Sequence, residues 1–130
     1  MTHPESFKHI PWDTTAFGVR AYEIAAPNPE ALEIAMQLSG HYTVRVDPLI
    51  SKRWLHDYGF YYCDTLIEPY CAAGRFVPFD DMDVSVSHSL TLEPLLEICH
   101  GAFSHGRFHR DFNLSRAQAD QRYDNWLVQL

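Results

Sequence analysis

The sequence predicts an α/β fold: a small mixed sheet with a β-α-β unit and flanking helices, in one domain spanning residues 1–130. Three observations predict it. Runs that alternate apolar and polar residues, as half-buried strands do, are interleaved with runs whose apolar residues recur every three or four positions, as in amphipathic helices. Hydrophobic residues make up 46% of the chain, aromatics 14% and charged residues 21%, which suits a packed interior rather than a disordered chain. A length of 130 residues gives room for one core and not for two.

The elements follow in order. Trp12 to Gly18 reads as an aromatic pair around a turn, with Asp13 available to satisfy backbone N–H groups. Val19 to Ile24 reads as a strand. Asn28 and Pro29 then supply a cap and a first-turn proline for a helix carrying Ala31, Ile34, Ala35 and Leu38 on one face, and Gly40 supplies the stop. His41 to Val46 alternates, with Tyr42, Val44 and Val46 on one face and Thr43 and Arg45 on the other. Asp47-Pro48 is placed to cap a second helix bearing Ile50, Trp54 and Tyr58, which Gly59 ends before a strand-like run from Phe60 to Ile67. Strand 41–46, this helix and strand 60–67 make the expected β-α-β unit, whose crossover places the helix over one sheet face.

Pro69 to Asp83 reads as a loop, and Val84 to Leu90 as another alternating strand, with serines at 85, 87 and 89. Leu92 to Cys99 reads as a short helix. Ser115 with Gln118 three residues on forms a capping box for a last helix, whose stripe of Ala119, Tyr123, Trp126, Leu127 and Leu130 faces a core. Gly101 to Leu114, rich in aromatics, His and Arg, is too irregular to assign.

Charge and cysteine usage exclude several function classes. Ten Lys and Arg against seventeen Asp and Glu leave a net charge of -7, the wrong sign for a protein that neutralises nucleic-acid phosphates. Residues 60–100 hold most of the acidic surplus, seven acids against one base. No apolar run is long enough for a membrane helix and the start lacks signal-peptide character, so a cytoplasmic protein without membrane contact is expected. Cys63, Cys71 and Cys99, an odd number without CxxC spacing, read as buried thiols in a reducing compartment. Asp80, Asp81 and Asp83 offer oxygen ligands for a hard cation but lack the glycine and distal glutamate of a calcium loop, and read as a solvated turn.

Catalytic signatures are weak. His100, His105 and His109 with Cys99 are the densest candidate metal set, yet Gly106 interrupts them and no HExxH glutamate accompanies them, so no metal is expected. No Gly-x-Ser-x-Gly elbow and no phosphate-cradling glycine loop occurs. The most unusual stretch is Phe103 to Phe112, in which Arg107, Phe108, Arg110 and Asp111 are the candidate ligand-binding residues. An arginine fork there suits an anion, and phenylalanines can wall a cleft. Read structurally instead, the phenylalanines plug the core and Asp111 caps or pairs with an arginine.

Trp12-Asp13 with Phe17-Gly18, the strand-helix-Gly59-Phe60-strand unit, Phe103 with Arg107-Phe108 and Asp111, and the Tyr123 and Trp126 helix stand in an order that resembles the N-terminal part of GNAT-type (acyl-CoA) N-acetyltransferases, nearest the dTDP-fucosamine acetyltransferase group. The resemblance implies the N-terminal half of a GNAT fold. In that family a helix corresponding to Ser115–Leu130 leads into the strands of the acyl-CoA site and its Arg/Gln-x-x-Gly-x-Gly/Ala loop, a pattern that does not occur in these residues. Carried over residue by residue, it yields no catalytic residue and no cofactor. It implies a GNAT-like domain without its own acyl-CoA site, acting as a binding or interaction module. The alternative is a fragment or subunit of an N-acetyltransferase acting on an amino-sugar-like amine, completed by a separate acyl-CoA-binding part. An open sheet edge and the helix stripe to Leu130 lead us to expect a homodimer, or a separate acyl-CoA-binding chain as partner, and the arginines lead us to expect a small anionic ligand.

Overall fold

The computed structural model describes residues 5–79, 83–89 and 91–130. Three strands form one mixed sheet in the order β1 (Phe7–His9), β2 (Ala21–Ile24), β3 (His41–Val44). β1 runs antiparallel to β2, with Phe7 opposite Ile24, and β2 runs parallel to β3, with Ala21 beside His41. The α-helices among the described residues are α1 (Pro11–Phe17), α2 (Pro29–Gln37), α3 (Arg53–Asp57), α4 (Leu92–Cys99) and α5 (Arg116–Gln129), with short 3-10 turns at Ala73–Arg75 and Arg107–Arg110. None is long and apolar enough to cross a membrane.

Period-two alternation divides the core between the sheet's two faces. Tyr22 and Ile24 of β2 join Phe7, Leu32 of α2 and Leu55 of α3 in one buried cluster, and Tyr42, Val44 and Val46 pack against it. Ala21 points the other way, into a second cluster with Phe17 of α1, Phe108 and Ala119 of α5. α2 starts as its sequence dictates, with the Asn28 side chain accepting from the Ala31 N–H at 3.0 Å and Pro29 in the first turn. α5 starts on the expected capping box, in which Gln118 N–H donates to Ser115 Oγ at 3.2 Å and Ser115 N–H donates to the Gln118 side chain at 2.8 Å.

Several expectations are corrected. The parallel β-α-β unit lies one element earlier than predicted: it is β2-α2-β3. The run 60–67 is extended but joins no sheet among the described residues, because the Tyr61 hydroxyl is tied to Asp111 and Asn113 in the loop before α5, which holds the run off the edge of β3. Residues 84–89 form no strand either. The Ser87 hydroxyl takes the Ser89 N–H at 3.2 Å, a local bond that competes with a ladder.

Trp12 to Gly18 is helix rather than turn, with Pro11 in its first turn and Gly18 at its end at φ 72°, donating its N–H to Thr14 O at 3.0 Å. α3 begins six residues past Asp47, whose carboxylate instead accepts from the nearby Leu49 N–H at 2.8 Å. The thiols are not buried: Cys71 is exposed, and Cys63 and Cys99 are half-buried, since the segments carrying them lie on the surface. The stripe of α5 is buried at Ala119 and opens toward its end, where Trp126 and Leu130 are exposed. The strand expected to end at Leu90 and the acidic turn at Asp80 and Asp81 reach positions outside the described residues.

Candidate anion-binding groove

A groove of about 980 Å³ opens where β3 forms the edge of the sheet. One wall is β3 and its continuation to Val46, the other is the extended run from Phe60 to Ile67, and Arg107, Asp111, Asn113 and Leu114 line it from the loop before α5. The strand pleat decides which side chains reach it. His41 sits on the α1 side of β3, one residue out of phase with Tyr42, and its ring packs edge-on against Phe17 with centroids 5.0 Å apart.

Asp111 is the hub. His41 Nε2 lies 2.7 Å from its Oδ2, the Tyr61 hydroxyl donates to its Oδ1, and the Asn113 N–H donates to the same oxygen at 2.9 Å. Asn113 Nδ2 in turn donates to the Tyr61 hydroxyl at 3.0 Å, so three chain segments converge on one carboxylate. Burial pushes the Asp111 pKa up, but the hydrogen bonds from His41, Tyr61 and Asn113 outweigh it and hold the carboxyl below its ordinary range. Burial, then the bond to the Asp111 carboxylate, pushes the Tyr61 hydroxyl up to about 12, so at neutral pH it stays a donor. His41 Nδ1 is buried without a hydrogen-bond partner among the described residues. Cys63 lines the same groove, and burial followed by the Asp111 charge raises its thiol pKa, the opposite of what an activated nucleophile needs.

The groove is electrically asymmetric. Asp111 is compensated by its donors, whereas Arg107 lies with its guanidinium carbon 4.5 Å from the centre of the Phe108 ring and forms no ion pair among the described residues. Arg45 and Lys52 add positive charge along the rim; Arg45 stands 3.7 Å from Glu23, and Lys52 donates to the carbonyls of Pro48 and Ile50. Asp64 also lines the groove, 3.8 Å from Arg110, so it is Arg107 that offers a place for an anionic group.

The structure distributes the sequence-predicted site residues unevenly. Arg107 and Asp111 line the groove. Phe108 is a core residue, 5.4 Å from the Phe17 ring, and Arg110 stands outside the lining, 3.8 Å from Asp64. His100 and His109 turn to separate partners on α5, Asp124 at 2.7 Å and Asp120 at 3.0 Å. Among the described residues no three His, Cys, Asp or Glu side chains are grouped to hold a metal ion. Sequence reasoning missed His41, Tyr61 and Asn113, which lie 70, 50 and two residues from Asp111. The available signal was a polar His opening an otherwise apolar alternating run.

Comparison with protein-family profiles, with curated proteins and with solved structures finds no match for this chain.

Proposed function

We propose that this chain is a GNAT-related binding module whose groove takes an anionic group, and that it has no acyl-transfer centre of its own. The observation that carries this reading is Arg107, a groove-lining guanidinium without a carboxylate partner among the described residues, beside a carboxylate that already has three donors. The GNAT part of the reading rests on the order of the motif-bearing segments in the sequence, and in the fold these segments meet. Phe17 of the Trp12–Gly18 segment packs on Phe108, and Asp13 of that segment pairs with Arg122 on the helix that carries Tyr123. None of the residues present forms the glycine-bearing loop that would cradle an acyl-CoA pyrophosphate. In the second reading, an acetyltransferase subunit for an amino-sugar-like amine, the exposed residues 64–79 would face a separate acyl-CoA-binding part.

Thermal denaturation with inorganic phosphate and calorimetry with acetyl-CoA test the proposal. Millimolar phosphate should raise the melting temperature of the parent chain but not of Arg107→Gln, since a ligand that binds only the folded state stabilises it. Acetyl-CoA should give no heat of binding at micromolar concentrations. Acetyl transfer to an amine by the purified chain, or a phosphate effect that survives Arg107→Gln, would overturn the reading.

A further inference from the structure

We propose that the tie of Tyr61 to Asp111 is a latch that keeps the groove open, and that its release lets residues 60–67 close onto the free edge of β3 as a fourth, parallel strand. This rests on the reading of the groove as an anion-accepting site and names what controls entry to it.

Both walls of the gap carry unpaired main chain. β3 bonds to β2 along one edge only. In the facing run, no N–H or carbonyl from 61 to 67 takes part in a backbone–backbone hydrogen bond among the described residues, and the Thr65 N–H turns to the side chain of Asp64 at 2.7 Å. Free edges of this kind are stabilised by pairing. The faces of the two walls already agree. Phe60 packs against the cluster of Leu32 and Leu55 while Tyr61 turns to Asp111, the same two directions taken by Tyr42 and His41 of β3. Tyr62 and Leu66 continue the cluster face of the run but are exposed, and moving inward lays them beside Tyr42 and Val46, which burial of apolar surface favours. The connection from Val44 to Phe60 through α3, whose Leu55 sits in that cluster, has the length a parallel crossover needs.

Asp111 is the spacer. One of its oxygens takes His41 Nε2 at 2.7 Å and the other the Tyr61 hydroxyl, so a carboxylate stands between the first residue of β3 and the run, holding Tyr61 level with His41 but off the sheet edge. Asn113 Nδ2 reinforces the tie at 3.0 Å. Other contacts of the run lie on the surface and stabilise little: Asp64 stands 3.8 Å from Arg110, and the Tyr62 hydroxyl lies 2.8 Å from Thr65 Oγ1 within the run itself. With Tyr61 level with His41, closure sets Thr43 beside Cys63 and Val44 beside Asp64. It also takes away the space of about 980 Å³ that Arg107 lines, so an anion binds the open form and its apparent affinity scales with the open fraction.

Disulfide trapping under a mild oxidant tests this in the full chain, with Thr43→Cys opposite the native Cys63 and with Cys71→Ser and Cys99→Ser removing the other thiols. Neighbouring strands lie about 4.8 Å apart, within the roughly 4.4–6.8 Å that a disulfide spans between Cα atoms. A second chain, with the native cysteines changed to serine and carrying Val44→Cys with Asp64→Cys, reads the same register from the other sheet face, and thermal melts of the reduced chains check the fold. Both pairs should cross-link within one chain, and Val46→Cys in place of Val44→Cys should cross-link more slowly. Adding Tyr61→Phe should speed the trap at least about threefold, the scale of one lost hydrogen bond. Millimolar phosphate should slow it, and the rise in melting temperature with phosphate should vanish in the cross-linked chain and return on reduction. No cross-link in either pair, equal cross-linking out of register, a rate that Tyr61→Phe leaves unchanged or lowers, or a cross-linked chain that still responds to phosphate would each overturn the latch. Reduced chains that respond to phosphate but cannot be trapped remove the closure and leave the groove reading standing; chains that are trapped in register but never respond to phosphate keep the closure and remove the groove reading.

Discussion

Two runs of similar strand character, His41 to Val46 and Phe60 to Ile67, meet different fates in this molecule. The first is half-buried, packs Tyr42, Val44 and Val46 against the core cluster that includes Leu32 of α2, and pairs with β2 over His41–Val44. The second is extended and largely exposed, anchored at its start through the Tyr61 hydroxyl. Alternation fixes which side chains share a face, but it does not supply a neighbour. β3 has one because α2 returns the chain to β2, whereas the run after α3 is tied to Asp111 through the Tyr61 hydroxyl and pairs with no strand among the described residues.

The largest expected contrast is in stability. Leu32→Ala, at a side chain with 0% exposure between α2 and the sheet, should cost about 2–5 kcal/mol in urea denaturation. Ile67→Ala, at 80% exposure, should cost less than about 0.5 kcal/mol when the chain is measured as a monomer. Equal losses would show that the second run is packed as firmly as the first.

Next comes the tie between the two runs. Asp111→Asn leaves His41 and Tyr61 with a neutral and weaker acceptor and should cost about 1–3 kcal/mol. It should also bring the Tyr61 hydroxyl down from about 12 toward the ordinary 10.0. Tyrosinate absorbance, compared with Tyr61→Phe to isolate one of seven tyrosines, reads that shift. An unchanged titration would mean that Asp111 does not hold the second run in place.

Acid should loosen the same tie. The Asp111 pKa is lowered on folding, so its contribution is present above the ordinary carboxylate value of 3.8 and is lost as the pH falls through its lower folded value. Below pH 3.8 the parent should therefore lose stability more steeply than Asp111→Asn, as followed by urea midpoints.

The smallest effect concerns α4, which has no buried residue and is clasped to α5 by His100 and Asp124. The hydrogen bond and charge of Asp124 raise the His100 pKa above 6.5, so this contribution is complete below 6.5 and fades as the pH rises through the folded value. After correction for intrinsic exchange, protection of α4 amides should fall between about pH 6 and pH 8 in the parent and stay level in His100→Asn.

The sequence by itself determined the elements whose signals are local. Asn28-Pro29 and Ser115 with Gln118 fixed the starts of α2 and α5, the strand-like run Val19–Ile24 located β2, and alternation in His41–Val46 located β3 with its faces. Each signal spans a few residues, and the caps close their hydrogen bonds within that span. The Pro11 and Gly18 signals of α1 were present too, but a seven-residue helix between two aromatics has little periodicity to set against a turn. Tertiary structure alone decided the rest. Asp111 meets His41 and Tyr61 across 70 and 50 residues, and Phe108 enters the core because α1 brings Phe17 to it. The three-residue β1 exists through its pairing with β2. These contacts join segments distant along the chain, so no short window of sequence carries both halves of any of them.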